Sequence, residues 1–89
     1  MKEVLYHRHA VRYMRQMPAD RKEQVKSAIA ELAALDDPLA HPNVKCMRGD
    51  WSGCLRLRIG SYRAIFHLVK TGSSERLEVL LVGPRGNVY

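Results

Sequence analysis

With 89 residues, 46% of them hydrophobic, the chain has enough apolar content for one small core and too much for a disordered segment. No apolar run approaches the roughly 20 residues of a membrane helix, and "MKEVLYHRHAV" has neither the apolar stretch nor the cleavage site of a secretion signal, so a cytoplasmic protein with no membrane contact is expected. Cys46 and Cys54 are too few for a disulfide framework and read as reduced thiols; together with His41 they match no common zinc spacing, so no metal or other cofactor is expected.

Residues 1–89 are expected to form a single domain. Lys2–Tyr6 reads as a first strand. From His7 the period changes: Ala10, Val11, Met14 and Met17 recur at helical spacing, with Arg8, Arg12 and Arg15 on the other face. Pro18 breaks this helix. Asp20 followed by Glu23 has the spacing of a capping box and opens a second helix, whose apolar stripe is Val25, Ala28, Ile29, Leu32 and Leu35. Asp36-Asp37-Pro38 ends it after about 24 Å, long enough to cover a small sheet. Pro38–Gly53 is read as loop from its Pro, Gly and Asn content. Three strands follow, Cys54–Ile59, Tyr62–Lys70 and Arg76–Val82, joined by turns at Gly60-Ser61 and at Thr71–Ser74. The order β-α-α-β-β-β predicts an α+β fold, a small and mainly antiparallel sheet with a two-helix hairpin packed on one face.

The net charge of +6 is unevenly spread. Residues 45–63 carry Lys45, Arg48, Arg56, Arg58 and Arg63 against Asp50 alone, a net of +4, while the segments on either side carry +1 each. Concentrated positive charge fits a polyanionic partner, nucleic acid or acidic protein. A solvated basic face explains the charge equally well.

"NVKCMRGDWSGCLRLRIGSYRAIFHL" and the ending "VGPRGNVY", behind a two-helix hairpin, resemble the RelE/ParE superfamily of bacterial toxins from type II toxin–antitoxin pairs. The most specific elements are Gly60-Ser61-Tyr62-Arg63 and the run from Arg85 to Tyr89. The resemblance implies a RelE-like fold and, for the RelE branch, a ribosome-dependent endoribonuclease that cuts mRNA in the ribosomal A site and blocks translation. The alternatives are a ParE-like inhibitor of DNA gyrase, and a degenerate toxin that only binds its antitoxin. It also implies a small cognate antitoxin, acidic or amphipathic, as partner. Ribosome and mRNA join it in the ribonuclease reading, and DNA is contacted only through the antitoxin.

Carried over by position, the resemblance makes Arg56, Arg58, Arg63, Arg85 and Tyr89 the candidate catalytic residues. Arg56 and Arg58 match two basic strand positions that are often lysines in relatives, whereas Pro84, standing where relatives often carry His or Lys, and the end of the chain at Tyr89, where some relatives continue, depart from the family pattern. Attack by a 2′-OH requires loss of its proton, stabilisation of the phosphorane and protonation of the leaving oxygen. Arginines suit the second task, with Arg63 and Arg85 as the clamp, but they are nearly excluded as bases. Tyr89 can stack on a base or transfer a proton. His67 has the best ordinary pKa for a general base and shares the face of Arg63 if no bulge intervenes; as part of a face with Ile65 and Val69 it reads more readily as partly buried core. Lys45 and Arg48 are assigned to RNA phosphate, Trp51 to loop packing or RNA contact, and Tyr62 to packing.

Overall fold

The computed structural model describes residues 2–84. The chain runs β1 (Glu3–Tyr6), α1 (Arg8–Arg15), α2 (Ala19–Ala33), a 3₁₀ turn at Pro38–Ala40, β2 (Val44–Cys46), a second 3₁₀ turn at Gly49–Trp51, β3 (Leu55–Ile59), β4 (Tyr62–Thr71) and β5 (Ser74–Pro84). The strands form one sheet in the order β1-β5-β4-β3-β2. β1 pairs with β5 in parallel, and every other pairing is antiparallel. The α+β architecture is therefore as expected, with one strand more than the sequence suggested. Val44–Cys46 lies in the segment expected to be loop, since three residues are too few to show a period of two beside Pro42, Asn43 and Gly49. They form an edge strand because Val44 packs inward against the core, paired with Leu57.

The core lies between the helices and one face of the sheet. Ala10 and Met14 from α1, Met17 from the bend beyond the end of that helix at Arg15, Val25, Ile29 and Leu32 from α2, and Leu57, Ile59, Ala64, Phe66, Leu77, Val79 and Val82 from the strands form a single buried cluster. On β4 it takes every second residue, with Tyr62 and Leu68 at its margin, so Arg63, Ile65, His67 and Val69 face away from the helices. Tyr62 packs edge-on against Tyr13 of α1, with ring centroids 6.5 Å apart. Burial and the neighbouring Tyr62 hydroxyl raise the Tyr13 pKa.

Two details of α2 differ from expectation. Its N-cap is Pro18, without a side-chain cap, and Asp20 lies in the first turn. There it faces the positive end of the helix dipole without closing a capping box. The helix stops at Ala33, so Leu35 lies beyond it and is 36% exposed instead of joining the apolar stripe. Lys2 secures this end: its backbone N–H donates to the Ala33 carbonyl at 3.0 Å, and its ammonium donates to the carbonyl of Leu35. No described helix is long and apolar enough to cross a membrane.

Candidate nucleic-acid interface

Two tight turns set the geometry of the face that the helices leave open. Ile59 pairs with Tyr62, so Gly60-Ser61 is a two-residue hairpin loop. Gly60 has φ +56 at its first position, where glycine costs least. That register sets Arg58 directly opposite Arg63 and Arg56 opposite Ile65. On the other side of β3, Lys45 of β2 stands opposite Arg56. Since Leu55, Leu57, Ile59 and Val44 all point to the core, alternation turns Lys45, Arg56, Arg58 and Arg63 to the opposite face.

Four of the predicted residues thus come together in two neighbouring rows, Lys45–Arg56–Ile65 and Arg58–Arg63. Lys45 and Arg58 are exposed, and Arg56 and Arg63 are half-buried. Gly83 of β5, itself buried, continues the second row beside Arg63. Arg48 is exposed at the entrance of the Gly49–Trp51 turn, off the sheet, and Trp51 in that turn is half-buried. Arg85 and Tyr89 lie outside the described residues.

His67 does share the face of Arg63. The sheet has a bulge at this level, but it falls on β5: Ile65 pairs with Leu81 and Phe66 with Val79, leaving Leu80 as the extra residue. Alternation along β4 therefore runs through unbroken. His67 stands four residues from Arg63, about 13 Å along the strand, and its surroundings are different. Its cross-strand partner is Glu78. The His67 Nε2 lies 3.0 Å from Glu78 Oε1, and His7 Nε2 lies 2.9 Å from the same oxygen. Arg76 donates to the other carboxylate oxygen through Nε at 2.8 Å and Nη2 at 2.7 Å. Hydrogen bonds from His67, His7 and Arg76, in that order, hold the Glu78 pKa down from 4.5 to about 2, against the opposing effect of its burial.

The sequence reading missed Glu78, His7 and Arg76 as a unit. A signal for half of it was present. A two-residue loop at Gly72-Ser73 fixes the register of β4 with β5, and counting back from it places His67 against Glu78. Nothing local announces His7, which arrives through the parallel pairing of β1 with β5. Cys46, Cys54 and His41 do not gather into a ligand cluster among the described residues, and both cysteines are free thiols.

The sheet and the helix hairpin recur in solved structures of small toxins. An archaeal RelE–RelB complex from Pyrococcus horikoshii OT3 contains a chain of the same fold, with a TM-score of 0.74 at 21% identity over 97% of each chain. A YoeB/ParE toxin from Agrobacterium tumefaciens matches with a TM-score of 0.73 at 20% identity, over 93% of this chain and 98% of that one. The intact E. coli RelBE toxin–antitoxin complex matches at 0.72 and 20%, over 98% and 100%. No curated protein sequence matches the chain. The family model of the ParE toxin of the type II toxin–antitoxin system parDE matches residues 6–89, and the chain belongs to this family of RelE/ParE-like toxins.

Proposed function

We propose that this toxin is a ribosome-dependent endoribonuclease that acts in the cytoplasm and cuts mRNA by attack of a 2′-OH on the adjacent phosphodiester. The observation that carries this reading is the pair of basic rows on the open face, with Lys45 against Arg56 and Arg58 against Arg63. Like charges placed directly opposite destabilise a sheet. Two such pairs side by side make a poor structural device and a good cradle for consecutive phosphates. Guanidinium groups stay protonated and grip phosphate oxygens in pairs, which suits them to the charge that builds on the phosphorane.

In this reading Arg63 binds the scissile phosphate, while Arg56 and Arg58 hold its neighbours. Arg85 follows in the chain directly after Pro84, the residue paired with Tyr62, and supplies the second arm of the clamp. Tyr89 stacks on a base or carries a proton. Lys45 and Arg48 extend the phosphate track. His67 is left out of the chemistry, because its Nε2 is engaged by Glu78 and it stands about 13 Å along the strand from Arg63. A site made of arginines lacks a strong base of its own, so the ribosome orients the message and supplies part of the electrostatics. Activity on free RNA equal to that on programmed ribosomes contradicts this dependence.

The partner is a small antitoxin whose acidic or amphipathic segment covers the basic face; relatives of the same fold are solved as RelE–RelB and RelBE complexes. DNA is reached only through that antitoxin. The match to the ParE toxin family favours one second reading, inhibition of DNA gyrase without RNA chemistry. Induction of the wild type and of Arg63→Ala in cells separates the two. New mRNA 5′ ends in phase with codons, lost in Arg63→Ala, support the ribonuclease. Intact mRNA with arrested replication supports gyrase inhibition, and unimpaired growth indicates a protein that only binds its antitoxin.

A further inference from the structure

We propose that His7, His67 and Glu78 form a binding site for one transition-metal ion of the zinc class, with the two Nε2 atoms and Glu78 Oε1 as its ligands. Among the described residues this is the group in which three such atoms converge, all within 4.8 Å of one another. Both imidazole nitrogens already aim at the same oxygen, at 2.9 and 3.0 Å. In a tetrahedral zinc site with bonds of about 2.0–2.1 Å the ligand atoms stand about 3.4 Å apart. Binding therefore requires the two nitrogen–oxygen separations to open by about 0.4–0.5 Å, and the two Nε2 atoms, which lie within 4.8 Å of each other, to settle at a similar spacing. On binding, each ring would give up its Nε2–H bond to Glu78 and carry its proton on Nδ1, which frees the Nε2 lone pair for the ion.

The scaffold holds these ligands before any ion arrives. His67 and Glu78 are direct cross-strand partners on the β4–β5 hairpin. His7 is fixed by its backbone N–H, which donates to the Val79 carbonyl at 2.9 Å. Arg76 grips Glu78 Oε2 with two nitrogens, so the carboxylate is oriented and offers Oε1 alone. A carboxylate ligand steadied by a hydrogen-bonded neighbour is the usual outer arrangement of metal centres. The His7 and His67 side chains are 39% and 35% exposed, while that of Glu78 is 10% exposed, which leaves a fourth coordination position toward solvent. Two imidazoles and one oxygen select zinc, cobalt, nickel or copper over magnesium and calcium, which prefer all-oxygen shells. The cationic Arg76 lowers affinity for any dication and keeps the site weaker than a closed structural centre.

The ion would join the β1–α1 junction to the β4–β5 hairpin, so its binding is readable in stability as well as in titration. The test uses the full chain stripped with a chelator, in a Cys46→Ser/Cys54→Ser background that removes the thiols. Zinc chloride is titrated against a competing chromophoric chelator, and thermal unfolding is followed with and without zinc. The expected result is one ion per chain, a raised Tm, and at least about a tenfold loss of affinity in His67→Gln and in His7→Gln. Should either variant fail to fold, histidine ring signals of the unsubstituted His7 and His67 decide the matter by NMR: zinc must shift both sets. Three results overturn the site: no binding at millimolar zinc, affinity unchanged in the histidine variants, or ring shifts confined to His9 and His41.

Discussion

Arg58 on β3 stands directly opposite Arg63 on β4, across the turn made by Gly60-Ser61. Opposed like charges work against the sheet, by roughly 0.2–1 kcal/mol per pair. Arg58 is also exposed and central to the basic face. Replacing it with threonine, a good strand former, should relieve repulsion and improve local propensity. Arg58→Thr is expected to raise Tm by a few degrees and to lower toxicity at least tenfold. Calorimetry beside a growth assay checks the opposed signs; a variant that is both less stable and fully toxic contradicts them.

Arg63 should not tolerate lysine. A guanidinium can bind two phosphate oxygens in a plane, and an ammonium acts as a point charge. Arg63→Lys is expected to recover less than a tenth of the mRNA cleavage lost in Arg63→Ala. Single-turnover cleavage on programmed ribosomes measures this, and full recovery in the lysine variant would reduce the role of Arg63 to charge alone.

Acid stability should depend on Glu78. Its folded pKa of about 2 lies below its ordinary value of 4.5, so the unfolded chain binds the proton more readily than the folded one. The resulting stabilisation is fully present above pH 4.5 and is lost as pH falls through about 2. Glu78→Gln is expected to be less stable than wild type at pH 6, with the gap closing between pH 4.5 and 2. Denaturant unfolding at several pH values tests this, and a constant gap across that window would mean that the carboxylate network contributes nothing through ionisation.

The core should be unforgiving at Phe66, which is 1% exposed and central to the buried cluster. Phe66→Ala is expected to cost about 3–5 kcal/mol, much of the stability of a chain this size. Urea unfolding of the purified variant gives the value, and a loss below 1 kcal/mol would show that the helices close over the gap.

Much of this fold was legible because its signals are local. The helical stripe of Ala10 and Met14, the alternation of Leu55, Leu57 and Ile59 with Arg56 and Arg58, and two glycine-led turns each act within a few residues. The turn at Gly60-Ser61 even fixes Arg58 against Arg63 by counting outward. What stayed hidden depends on contacts distant in sequence. β2 is a strand only because β3 lies beside it, and the end of α2 at Ala33 is set with the help of Lys2, far away in the chain. The cluster around Glu78 needs β1 to pair in parallel with β5, a register that no turn encodes. The basic face was visible as charge, whereas the roles of Arg85 and Tyr89 rest on the resemblance, and both fall outside the described residues.

The most direct test of the proposed activity adds purified toxin to ribosomes programmed with a defined mRNA, maps cuts by primer extension, and runs a gyrase supercoiling assay on the same preparation. Arg56→Ala/Arg58→Ala/Arg63→Ala serves as the control, checked for folding by circular dichroism. The expected result is a cut within the A-site codon for the wild type, none for the folded control, and unaffected gyrase. An intact message together with inhibited gyrase would contradict it and recast the two basic rows as a surface for protein partners.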